Sequence, residues 1–352
     1  MTRVAVICPG RGTYNRKELG SLTSAERADP GGSRADLVRR ADGWREHVGR
    51  PTVTELDGAD RFGSSHLAGE NAAALIYTAS AADALHLAPD VEVVAVCGNS
   101  MGWYSALHVA GVFGFEDGLR LADTMGGFQA EEGVIGGQVI LPVVDDQWRR
   151  DPVLEAAVAG TVAQVKKDGH PAFQSIRLGG YEVLAGDADA VRLLLNALPK
   201  AVVGEREYPF QLLGHSAFHT GLMAKTSARA VEELADLPWR TPRVSLVDGR
   251  GHVFRPLTTR PSDLLAYTLG HQVTDTYDFT RSVRVVLREF APDILVLLGP
   301  GDTLGGAIGQ IIVEEGWNGV RSKDDFVARQ RSESPLLCAM ARPEQRSLVA
   351  VG

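Results

Sequence analysis

Ser100 stands between two glycines in Gly98-Asn99-Ser100-Met101-Gly102, after an apolar run and before a helical stretch. That is the spacing of a nucleophile elbow, in which a sharp strand-to-helix turn lifts a serine hydroxyl out of a sheet. A Cβ at either flanking position would collide with the neighbouring strand or helix, and the Met101 N–H at the helix start is placed to donate to an oxyanion. The same spacing also suits a glycine-rich turn whose serine caps the helix. A serine nucleophile needs a base. Of the nine histidines, His215 and His219 lie in Gly214-His215-Ser216-Ala217-Phe218-His219-Thr220, just before a helical stretch from Gly221. A histidine in such a strand-to-helix loop can reach a serine on the same sheet. Capping or packing is the more ordinary fate for His215, and sequence distance does not choose between the two.

The elements that must hold these residues follow from periodicity. Val4 to Cys8 is a short buried strand entering the loop Pro9-Gly10-Arg11-Gly12. Residues 15–68 are polar helices and loops, and Asn71 to Leu87 is an alanine- and leucine-rich helix. Val91 to Cys97, apolar except for Glu92, is the clearest parallel-sheet strand and leads into the elbow. Trp103 to Val109 and Glu116 to Gln129 read as helices. Residues 138–205 follow a β-α-β-β-α-β order that suits a small ferredoxin-like subdomain. Apolar character resumes at Tyr208 to Leu213. Gly221 to Leu237 is helical, and Ile294 to Leu298 is a strand ending at Gly299-Pro300-Gly301, a structural turn. From Arg321 onward the chain is polar and charged.

Composition narrows the function classes. The chain has 352 residues, 36 basic and 44 acidic side chains and a net charge of −8. A nucleic-acid backbone is therefore not its expected partner. Cys8, Cys97 and Cys338 lie far apart, which argues against a disulfide framework or structural zinc. No signal-peptide core or membrane-length apolar run is present, so the expected location is cytoplasmic, without a membrane partner. No metal cluster, dinucleotide fingerprint or P-loop is visible. The 39 glycines exceed the usual share of ~7% without linker or collagen pattern, so they belong to ordered turns.

Five collinear segments carry a family resemblance: Cys8-Pro-Gly-Arg-Gly12, Ala72 to Ser80, Gly98 to Leu107 with Ala110-Gly-Val112, Ala217-Phe-His-Thr-Gly-Leu-Met223, and Leu298-Gly-Pro-Gly301. Over residues 4–310 the chain resembles the malonyl-CoA:acyl-carrier-protein transacylases and the acyltransferase domains of polyketide and fatty-acid synthases. The resemblance implies an α/β-hydrolase-like core over 1–137 and 206–320, a ferredoxin-like small subdomain over 138–205 and a tail over 321–352. It implies a Ser100–His219 dyad with Gln272 orienting the histidine, and an oxyanion hole from the backbone N–H groups of Arg11 and Met101. No permanently bound cofactor is implied. The substrates would be acyl-CoA or a phosphopantetheine thioester, and the partner an acyl carrier protein. Arg281, Arg284 and Arg288 recur at helical spacing and offer either a basic face for that partner or a solvated helix surface.

Four positions depart from the family pattern, and with Phe218 they bear on acyl selectivity. Met125 stands where malonyl-type members carry the arginine that pairs with the malonyl carboxylate, counting twenty-five residues from the serine. Losing that guanidinium would leave a buried carboxylate unpaired, which favours an uncharged acyl group. The competing reading is that Arg11, itself a glutamine in the family, supplies the charge. Asn99 replaces a histidine, and Trp103 replaces a glutamate, either walling a pocket or packing its helix. The expected activity is acyl transfer through an acyl-serine, not strictly malonyl-specific. An editing thioesterase using the same dyad is the alternative.

Overall fold

The computed structural model describes residues 1–28 and 31–351. In chain order its strands are β1 (Thr2–Cys8), β2 (Val91–Gly98), β3 (Gly137–Pro142), β4 (Ala172–Leu178), β5 (Tyr181–Gly186), β6 (Ala201–Val203), β7 (Arg206–Tyr208), β8 (Phe210–Gln211), β9 (Leu246–Val247), β10 (Val253–Phe254), β11 (Tyr277–Asp278), β12 (Ile294–Leu297) and β13 (Leu337–Ala339). The main sheet has the order β10–β9–β2–β1–β12–β13 and is parallel except for β10. Its strands are buried on both faces, which is why they read as continuous apolar runs. Along β1, Val4, Val6 and Cys8 enter one hydrophobic cluster while Ala5 and Ile7 enter the other, the two-residue alternation of a pleated strand. The mixed α/β architecture expected from the sequence is the one observed.

A second sheet has the order β11–β4–β5–β3–β8. Val139, Leu141 and Leu184 pack under the helices Pro152–Lys167 and Ala188–Ala197, while Ile176 and Val183 face the core cluster. This sheet does not keep to 138–205. Its closing strand β8 and its edge strand β11 come from residues beyond that range. The segment after 321 also differs from a mere tail. β13 joins the main sheet as a parallel edge strand on β12, and Leu336 to Met340 are buried. Its shortness hid this strand: three apolar residues in a polar segment become a strand only through their pairing with β12.

Two loops at the C-terminal ends of β1 and β2 set up the site. A Cβ on Gly98 would strike the Gly102 carbonyl, and a Cβ on Gly102 would strike the Cys8 carbonyl. Close approach of backbone to backbone therefore requires glycine at both positions.

Candidate active site

β2 ends at Gly98, and the helix Gly102–Val109 begins four residues later. Ser100 occupies the turn with φ +54°, a left-handed conformation that a non-glycine residue adopts only when its surroundings hold it there. His219 is held similarly, at φ +63°, with its own N–H donating to the Val273 carbonyl at 2.8 Å. The two side chains meet: Ser100 Oγ lies 2.7 Å from His219 Nε2. On the other side of the ring, Nδ1 lies 2.5 Å from the Gln272 carbonyl oxygen. A carbonyl can only accept, so Nδ1 carries the proton and Nε2 presents its lone pair to the serine hydroxyl. Burial pushes the His219 imidazole down to about 4, with the Gln272 carbonyl acting in the opposite direction. The ring is therefore neutral, the form a general base requires.

Gln272 engages the dyad twice. Its main-chain oxygen orients His219, and its side-chain Nε2 donates to the Ser100 carbonyl at 3.1 Å. Tyr104 OH in turn donates to Gln272 Oε1 at 3.3 Å. Because backbone does the orienting, Gln272→Ala should lower the rate of Ser100 acylation by about ten-fold or less, whereas His219→Ala should lower it by ~10²–10⁴-fold. Single-turnover acylation of both variants checks the ordering. The pH dependence should be equally diagnostic. A histidine titrating near 4 keeps the base neutral, so acylation should stay flat down to about pH 5 and decline only below it. A midpoint near the ordinary histidine value, about 6.5, would contradict the buried neutral ring.

The N–H groups of Arg11 and Met101, the two assigned to the oxyanion hole, have no hydrogen-bond partner among the described residues. Both residues line one cavity of about 580 Å³ that also holds Ser100 and His219. Its walls are largely apolar, with Met125, Phe218, Ile140 and Phe210 among them. Asn99 lines it too, and its Oδ1 is buried without a partner among the described residues.

Trp103 does not reach this cavity, which corrects its assignment to acyl selectivity. The indole is fully buried on the far side of its helix, edge-on to Tyr267, with Nε1 donating to Thr268 Oγ1 at 2.8 Å. Of the three arginines read as either a basic face or a solvated helix surface, two are paired with carboxylates. Arg284 pairs with Glu314 and Glu315, and Arg288 pairs with Glu315, all on the neighbouring helix Gly305–Glu315. Sequence reasoning missed Tyr104, Gln129 and Gln138, all lining the cavity. Gln129 had a signal, since it follows Met125 by one helical turn. Gln138 was a polar residue opening an apolar strand.

Among the described residues no group of histidine, cysteine and acidic side chains is arranged to hold a metal, and no helix is long and apolar enough to cross a membrane.

No protein-family model matches the chain. It is 30% identical over 220 residues to a malonyl CoA-acyl carrier protein transacylase of Escherichia coli (strain K12), covering 62% of this chain and 65% of that protein. It is 27% identical over 264 residues to the polyketide synthase GfsB of Streptomyces halstedii, covering 74% of this chain and 4% of the synthase. The chain is thus similar to a malonyl CoA-acyl carrier protein transacylase and to a stretch of a polyketide synthase, and it spans slightly less than two thirds of the length of the transacylase.

Solved structures agree on the fold. The transacylase of Xanthomonas oryzae pv. oryzae superposes with a TM-score of 0.72 at 20% identity, covering 100% of this chain and 99% of the other. A malonyl-transacylase solved in complex with a type II polyketide synthase acyl carrier protein gives 0.71 at 19% identity, over 98% and 97% of the two chains. The parallel-sheet core is thus that of the transacylases.

Proposed function

We propose that the protein is an acyltransferase, moving an acyl group from an acyl thioester to the phosphopantetheine thiol of an acyl carrier protein. The observation that carries this reading is the 2.7 Å contact between Ser100 Oγ and a His219 whose tautomer is fixed by the Gln272 carbonyl. Ser100 Oγ attacks the thioester carbonyl carbon while its proton passes to His219 Nε2. The developing oxyanion meets the free N–H groups of Arg11 and Met101. The C–S bond breaks, and the leaving thiolate takes the proton from His219, leaving an ester on Ser100. The carrier thiol then gives its proton to His219 Nε2, its sulfur attacks the ester carbonyl, and Oγ recovers the proton. With water in place of the thiol the same steps give hydrolysis.

The acyl group in this reading is uncharged. Met125 offers no charge, and Arg11 is already engaged. Its Nη2 donates to the carbonyls of Leu67 (2.7 Å) and Gly214 (2.9 Å), and its Nη1 to Gln129 Oε1 (3.0 Å). Its Nε is buried without a partner among the described residues. Both N–H groups of Nη2 are thus taken, which leaves Nε without the second donor a bidentate grip on a carboxylate needs along that edge. Arg11 is a brace joining three segments.

The deciding experiment is intact-mass spectrometry after incubation with acetyl-, butyryl- and malonyl-CoA, with and without carrier protein. The expected result is a neutral acyl adduct on Ser100 that moves to the carrier. Loss of the adduct to water at the same rate with or without carrier would favour the thioesterase. Faster labelling by malonyl-CoA, retained in Arg11→Ala, would overturn the uncharged acyl group while leaving acyl transfer standing.

A further inference from the structure

The cavity has one polar end that the dyad does not use. Arg11 and Gln129 converge there on the Gly214 carbonyl, at 2.9 and 2.6 Å, and the next residue is His215. His215 lines the same cavity as Ser100 and Met125. Its Nδ1 lies 3.2 Å from Gln138 Oε1. Gln138 donates through Nε2 to Ser175 Oγ at 2.8 Å and to the Phe218 carbonyl at 3.4 Å, so its amide is fixed with oxygen towards the ring. An amide oxygen only accepts, which places the His215 proton on Nδ1 and a lone pair on Nε2. Nε2 has no partner among the described residues.

Two features keep this lone pair available. Burial holds the imidazole well below the usual histidine range, and the Arg11 guanidinium adds to the effect. Arg11 also pins the loop, so the ring cannot easily turn away. The cavity thus presents a neutral, oriented hydrogen-bond acceptor on walls that are otherwise mostly apolar. A plain alkanoyl chain would cover Nε2 and leave it unsatisfied. A carboxylate would set its own lone pairs against it. A hydroxyl would donate to it.

We infer that His215 is a specificity-determining residue whose Nε2 accepts a hydrogen bond from a hydroxyl on the acyl chain, making hydroxyacyl thioesters the preferred substrates. The inference rests on the acyltransferase reading and narrows it. A site built around a substrate hydroxyl discriminates against the analogue lacking it because its polar group is then left unpaired.

The test compares Ser100 acylation rate constants for two matched pairs, 3-hydroxybutyryl-CoA against butyryl-CoA and lactyl-CoA against propionyl-CoA. In the wild-type protein one pair should favour the hydroxyacyl member by about ten-fold or more. In His215→Phe that ratio should fall to about one, and in His215→Gln, which restores an acceptor, it should partly return. Because the ratio is taken within one variant, a general loss of activity cancels. His215→Leu provides the same readout if the phenylalanine variant does not fold. Ratios of one or below in both wild-type pairs would overturn the proposal, as would a ratio unchanged in His215→Phe. Labelling by butyryl- or propionyl-CoA in those runs would show that the acyltransferase reading survives. Absence of labelling by every thioester would remove both.

Discussion

Ser100→Ala should abolish the acyl adduct altogether and lower transfer by at least ~10³-fold. The expectation follows from position as much as from residue type. Ser100 is held at φ +54° in a turn closed by Gly98 and Gly102, and its hydroxyl faces the one nitrogen of His219 that carries no proton. Alanine keeps the turn and the cavity but removes the atom that bonds to the acyl carbon. Thermal unfolding should be nearly unchanged, because alanine keeps the same left-handed backbone at position 100 and only a half-buried hydroxyl is lost. Intact mass with acyl-CoA and a melting curve on the same sample check both halves. An adduct of wild-type stoichiometry in Ser100→Ala would place the nucleophile elsewhere and end the dyad reading.

Gly102→Ala should have the largest effect on the folded state. A Cβ there would overlap the Cys8 carbonyl and press on Pro9, both backbone atoms of the loop that carries Arg11. Neither partner can yield without moving. Cys8 ends β1, which pairs with both β2 and β12, and its carbonyl accepts from the Asn99 N–H at 3.0 Å. The loss should be on the order of 3 kcal/mol or more, the range for forced overlap in a packed interior. Denaturant unfolding measures it directly. Any folded remainder should acylate poorly, because separating the two loops separates the N–H groups of Arg11 and Met101. A substitution that left stability within about 0.5 kcal/mol would show that the close approach is not a constraint.

Much of this arrangement was legible in the residues. Glycines at 98 and 102 around a serine, between an apolar run and a helical pattern, describe a tight strand-to-helix turn because backbone proximity excludes a Cβ. Those constraints are local, so sequence expresses them. Strands β1, β2 and β12 of the main sheet were legible for a related reason, since burial on both faces leaves an uninterrupted apolar run. β13 was not, because three residues become a strand only when β12 is beside them.

Side-chain roles depended on the fold. His215 and His219 share one loop, and nothing in their spacing favours either. The tertiary structure separates them by the acceptors it supplies, the Gln272 carbonyl for His219 and the Gln138 amide oxygen for His215. Trp103 and Arg284 show the converse, residues of promising type that the fold turns toward the core or toward carboxylates. Arg11 was open as a charge for the acyl group, and its bracing role was not legible in the sequence. Its three acceptors come from residues 67, 129 and 214, which are distant in sequence and meet only on folding. Thus the sequence by itself determined where a nucleophile could stand, because a turn is a property of neighbouring residues. Its partner His219 was named by the resemblance; what orients that histidine, and which groups face the acyl chain, only the tertiary structure decided, because hydrogen-bond partners are matched in space and not along the chain.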